Sequence, residues 1–84
     1  MGEIDLVAFD GETLVFVEVK TRGTSRFGEP WEFVDWQKQR RIEQVAAEYV
    51  SRYDLGRYAY RFDIVAVLSA GGSCEEIALY RNAF

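Results

Sequence analysis

Apolar and polar positions follow two different periods along this chain. Residues 3–9 and 13–20 are apolar, β-branched runs on either side of Asp10-Gly11, a dipeptide suited to the positive-φ turn of a tight hairpin. An antiparallel hairpin is predicted. In its second strand Thr13, Val15, Val17 and Val19 point one way and Leu14, Phe16, Glu18 and Lys20 the other, because successive side chains alternate. Both faces begin apolar, which predicts a central strand buried on two sides. Residues 21–35 contain the only proline together with Phe27, Trp31 and Phe33, and read as an aromatic loop packed down as a flap. From Asp35 or Trp36 to Arg52 the period becomes helical, with Ile42, Val45, Ala46, Tyr49 and Val50 on one stripe and Asp35 as N-cap. Asp54-Leu55-Gly56 ends that helix. Residues 58–69 alternate again, Tyr60, Phe62, Ile64, Ala66 and Leu68 against Val65 and Val67, as a second strand buried on both sides. Ala70-Gly71-Gly72-Ser73 turns the chain into a shorter edge strand over 75–80. The result is one domain, 1–84, with element order β-β-α-β-β.

Composition narrows what such a domain does. Zero histidines exclude His-based zinc sites, Ser-His-Asp triads and Cys-His dyads, and a single cysteine, Cys74, excludes an intrachain disulfide framework. Any metal would have oxygen ligands. No long apolar run and no basic-then-apolar leader occur, so neither a membrane span nor secretion is predicted, and a cytoplasmic location is expected. The net charge of -4 is unevenly spread: residues 1–19 hold five acids and no base, 20–62 nine bases against six acids, and 63–84 one base against three acids. A basic middle beside an acidic start permits a phosphate-facing surface next to an acidic pocket.

Asp5, Glu18 and Lys20 stand where a purely structural strand does not want charge. Glu18 and Lys20 follow Leu14 and Phe16 on one face, about 6–7 Å apart along the strand. Hairpin register decides whether Asp5 joins them. A two-residue Asp10-Gly11 loop sets Asp5 opposite Phe16 and diagonal to Glu18; a four-residue loop sets it directly opposite Glu18; an unbulged three-residue loop sends it to the other face. Two carboxylates at the end of a central strand, with a lysine beside them, suit Mg2+ or Mn2+ next to a phosphodiester. A structural Glu-Lys pair at a strand end is the plainer reading of the same spacing. Asp63 is expected to pair with Arg61, Arg22 or a backbone amide. Lys38, Arg40 and Arg41 cluster at the helix start, where phosphate contact and simple solvation are the alternatives. Trp31 and Trp36 either stack on unpaired bases or, the preferred reading, pack into core or flap. Cys74 reads as an unreactive thiol.

The segments Gly2-Glu3-Ile4-Asp5-Leu6-Val7-Ala8, Leu14-Val15-Phe16-Val17-Glu18-Val19-Lys20-Thr21-Arg22, Phe27-Gly28, Lys38-Gln39-Arg40-Arg41, 61–67 (RFDIVAV) and 81–84 (RNAF) together resemble the YraN family, uncharacterised protein family 0102. That family is similar to the restriction-endonuclease-like PD-(D/E)xK nucleases, with Holliday-junction resolvases among its relatives. The resemblance implies an α/β fold with a restriction-endonuclease-like mixed sheet and a metal-dependent endonuclease acting on DNA, on branched or damaged structures among others. It implies catalytic roles for Asp5, Glu18 and Lys20, metal binding by Asp5 and Glu18, and a site-facing Gln39; beside it, the basic residues Arg22, Lys38, Arg40 and Arg41 are read as the nucleic-acid contacts. Family members carry a further helix and leading strand ahead of the Gly-Glu-Ile-Asp segment, the helix often adding an acid to the site; the present chain is expected to lack both. A non-catalytic nucleic-acid or protein-binding module with an incomplete site is the competing expectation. With one helix for two apolar sheet faces, the uncovered face is expected to close against a second copy in a homodimer, the rival being a monomer covered by the Trp31 flap.

Overall fold

The computed structural model describes residues 4–23, 34–70 and 73–84. The expected flap residues Phe27, Trp31 and Phe33, with Gly28, Gly71 and Gly72, lie outside the described residues, as does the side chain of Cys74. Among the described residues four strands and one helix occur in the expected order: β1 Leu6–Asp10, β2 Thr13–Arg22, α1 Trp36–Arg52, β3 Ala59–Ala70 and β4 Ser73–Tyr80. They form one mixed sheet of order β1-β2-β3-β4. The outer pairs are antiparallel hairpins, whereas β2 and β3 run parallel. A parallel pair needs a crossover, which α1 supplies. The last strand is longer than its sequence suggested, because β4 pairs from Ser73↔Ala70 through a register shift at Leu68/Ser69 to Tyr80↔Ile64.

The first hairpin closes one step later than the Asp10-Gly11 signal implies. Asp10 pairs with Thr13, which makes Gly11 and Glu12 the turn, and Gly11 takes the positive φ of 60° that a residue with a Cβ resists. Asp10 stays in the strand, where its Oδ2 lies 3.1 Å from Arg61 Nη1 on β3. The register is thereby displaced by two residues, an even number, so every side chain keeps its face.

One sheet face is covered. Leu14 and Phe16 of β2 and Phe62, Ile64 and Ala66 of β3 are buried beneath Ile42 and Ala46 of α1 and Val34 ahead of it, with Tyr49 and Val50 packed alongside. The helix starts as its sequence indicates, with Asp35 Oδ1 accepting the Lys38 amide at 2.9 Å. It ends on Asp54, which rather than Gly56 takes the left-handed conformation (φ 54°), and the Leu55 amide returns to Val50 O at 2.9 Å.

The opposite face corrects the expectation of strands buried on both sides. Val15 is buried there, but Val17, Val19, Val65 and Val67 are only half-buried, and Leu6, Ile77 and Leu79 on the flanking strands are 56%, 64% and 51% exposed. Among the described residues one helix covers one face. Asp63 lies on this side at 2% exposure, as the expected structural ion pair: Arg61 donates from Nε at 3.0 Å and Nη2 at 3.1 Å, and the Asn82 amide donates at 2.9 Å. No described helix is long and apolar enough to cross a membrane.

Candidate active site at the end of strand β2

Along the covered face of β2 the side chains run Leu14, Phe16, Glu18, Lys20, so the apolar layer continues straight into ionic groups. Glu18 is still core-like, 5% exposed, since its β3 neighbour is Ile64 and the next pair is Lys20 with Ala66. Lys20 is half-buried. From α1 a second lysine arrives: Lys38 Nζ lies 3.6 Å from Glu18 Oε1, and Lys20 Nζ lies 3.9 Å from the same oxygen. The other oxygen, Oε2, is buried without a hydrogen-bond partner.

Asp5 sits just before β1, opposite Glu18 when the observed register is carried one pair beyond Leu6↔Val17. This is the placement that the longer loop was expected to produce. Its Oδ2 accepts the Val19 amide at 2.8 Å, so the side chain takes over a main-chain group of β2 where the β1 ladder stops. That bond holds Asp5 below the ordinary aspartate value, assisted by contact with Glu18 and by the charges of Lys20 and Lys38.

The two carboxyl groups are in hydrogen-bonding contact, and their environments push them apart. Burial, then the hydrogen bond and negative charge of Asp5, raise Glu18 to about 7 against the opposing pull of Lys38 and Lys20. Lys20 is held below the ordinary lysine value by the Lys38 ammonium beside it and by partial burial, while Glu18 and Asp5 pull the other way. The site is therefore two carboxyls meeting two ammoniums, the former in contact and the latter adjacent.

The remaining residues singled out in the sequence are placed differently. Gln39 spends its Nε2 on the Val34 carbonyl at 3.1 Å, fixing the chain ahead of the helix. Arg22, near the end of β2, is half-buried and directs Nη1 towards the Thr21 carbonyl at 3.4 Å. The basic cluster at the helix start fans out, as helical geometry requires. Lys38 turns to Glu18, Arg41 is exposed, and Arg40 lies 5.6 Å over the ring of Trp36. Trp36 is 63% exposed, which corrects its assignment to core or flap: as the first residue of α1 it lies off the buried stripe. The contact from Lys38 to Glu18 was missed in the sequence. Its signal was the spacing to Ile42 and Ala46, four and eight residues on, which puts Lys38 on the buried stripe.

The donor set fits a small, hard divalent cation. Among the described residues no group of three or more metal-ligating side chains occurs; the site offers two interacting carboxyl groups, and one oxygen of Glu18 is buried without a hydrogen-bond partner. Mg2+ is commonly held by one or two carboxylates, completing its shell with water and substrate phosphate.

Residues 1–67 match the family model described as Uncharacterised protein family UPF0102. A UPF0102 protein of Alkaliphilus metalliredigens is 44% identical over 84 residues, covering 100% of this chain and 72% of the relative. One from Caldicellulosiruptor saccharolyticus is 42% identical over 85 residues with the same coverage. One from Solibacter usitatus is 52% identical over 67 residues, covering 80% of this chain and 51% of the relative.

Proposed function

The chain belongs to the UPF0102 family of uncharacterised proteins, and from that premise we propose that it is a metal-dependent endonuclease domain of the restriction-endonuclease-like class, hydrolysing DNA phosphodiesters. One observation carries the reading: Asp5 and Glu18 meet at the end of β2 with Lys20 beside Glu18. Asp5 and Glu18 would hold Mg2+ or Mn2+. Such a cation would supply Lewis-acid chemistry there, polarising a phosphodiester and lowering the pKa of water. Lys20 orients the attacking water and offsets charge on the phosphate as the new P–O bond forms and the bond to the leaving sugar oxygen breaks; the water releases its proton to solvent and the leaving oxygen takes one from solvent. With no histidine in the chain, no imidazole substitutes for these groups. Branched or damaged DNA is the proposed substrate class, and the cytoplasm the proposed location.

A second reading, a nucleic-acid or protein-binding module that does not cleave, is favoured by the donor set itself, since only two carboxylates meet among the described residues. Cleavage of labelled linear and four-way-branched DNA in Mn2+ separates the two. Under the first reading Glu18→Gln and Lys20→Ala each lower the rate by at least about 10²-fold, and a chelator abolishes it. Metal-independent DNA binding without cleavage selects the second. Cleavage that survives in both variants or in excess chelator removes the site from the reaction.

A further inference from the structure

The two oxygens of the Glu18 carboxylate have opposite surroundings. Oε1 is approached by both ammoniums, at 3.6 Å from Lys38 and 3.9 Å from Lys20. Oε2 is buried, has no partner, and belongs to a side chain only 6% exposed. Two lysines from different elements thus converge on one oxygen of the carboxylate, while the other is left without a partner. Lys20 comes from β2 and Lys38 from the first turns of α1. Two ammoniums side by side on one carboxylate oxygen repel each other. A second anion between them relieves both.

We propose that Lys38 is a phosphate-binding residue, whose ammonium leaves Glu18 Oε1 for a non-bridging phosphate oxygen of the bound DNA strand. This deepens the nuclease reading and rests on it for the choice of DNA as ligand. The helix supports the same placement: Asp35 caps the Lys38 amide, fixing the backbone from which the side chain reaches, and the positive end of the helix dipole favours an anion there. Glu18 and the phosphate compete for one ammonium, and that competition is measurable without metal or catalysis.

The test is fluorescence anisotropy of a fluorescein-labelled DNA duplex in EDTA, across a KCl series. A lost phosphate contact removes about 0.9 from the slope of log K against log salt. Lys38→Gln is expected to lower that slope by about this amount and to weaken binding roughly tenfold. Lys38→Met gives the same loss, and Lys38→Arg keeps the wild-type slope. Arg52→Gln, an equal charge change at the far end of α1, leaves binding at low salt within about twofold. Glu18→Gln frees Lys38 and tightens binding, a gain that disappears in Glu18→Gln/Lys38→Gln. Unchanged slopes in both Lys38 removals, or a Glu18→Gln gain that survives in the double variant, overturn the proposal. Cleavage in Mn2+ by the same proteins keeps its fate apart from that of the nuclease reading. Lys38-dependent binding without cleavage upholds Lys38 and removes the nuclease. Cleavage lost in Glu18→Gln with Lys38-independent binding does the reverse. Wild-type protein with no affinity for the duplex at any salt overturns both.

Discussion

Raising the pH of the metal-free protein ionises Glu18 in a place that resists its charge, and the cost should appear as lost stability. The side chain is buried against Asp5, with Lys20 and Lys38 offsetting part of the penalty, and the net effect raises it from 4.5 to about 7. At roughly 1.4 kcal/mol per unit, the shift is worth about 3 kcal/mol. The folded state holds this proton more tightly than the unfolded chain. The contribution is therefore fully present below pH 4.5 and is lost as pH rises through about 7. Asp5 moves the other way: its stabilisation is present above 3.8 and is lost as pH falls through its lowered value, outside this window. Lys20, also lowered, returns stability only as pH climbs into the alkaline range. Glu18→Gln keeps the shape and a donor towards Asp5 but cannot ionise. Urea unfolding followed by circular dichroism at about pH 5 and pH 8.5 should show the wild-type stability falling relative to Glu18→Gln by about 3 kcal/mol, on the order of 10–20 °C in Tm for a domain of this size. Mn2+ should restore part of the loss at the higher pH, by about 2.7 kcal/mol at a hundred times its Kd. A stability difference between the two proteins that stays constant with pH would refute the buried Glu18–Asp5 contact.

The uncovered aliphatic face of Leu6, Val17, Val67, Ile77 and Leu79 is proposed to close on a second copy across a two-fold axis, burying upwards of about 1,000 Å²; light scattering should give a dimer at micromolar concentration, reduced to a monomer by Ile77→Lys, and a stable wild-type monomer would contradict it. Asp35→Ala removes the cap on the Lys38 amide and should cost about 1 kcal/mol in urea unfolding; an unchanged midpoint would show that the helix start is held from elsewhere.

Short-range periodicity carried the element order, and the reasons are local. Alternation in β2 and β3 and the Ile42-Ala46-Tyr49 stripe of α1 each follow from one element's geometry. What needed two elements was less legible. The hairpin register slipped by two residues because both turns preserve the alternation, and the choice between them involves Arg61, far along the chain, reaching Asp10. Asp5, Glu18 and Lys20 were legible as charges out of place in apolar strands. The role of Asp5 as an acceptor for the Val19 amide was not, since it depends on where β1 stops. Lys38 lay hidden in a run of basic residues whose directions only the helix separates, and Gln39 was drawn away by a carbonyl ahead of that helix. The valines of the second face declare an apolar surface, while nothing in their pattern names its cover.

The parallel pairing of β2 with β3 joins residues that lie a whole helix apart in sequence. Such contacts form late, since the entropy of closing the intervening chain is lost before the ladder repays it. The hairpin and α1 are local and can form first. Glu18 is then still beside water, because Ile64, its neighbour on β3, has not arrived, and the burial that contributes most to raising its carboxyl is not yet in place. Docking of β3 takes Glu18 out of solvent, so near pH 6 the last long-range step of folding is accompanied by uptake of a proton. Synthesis runs in the same direction. Asp5, Glu18, Lys20 and Lys38 all precede residue 59, where β3 begins, and a chain halted ahead of it carries all four ionic groups without the wall that makes them a site.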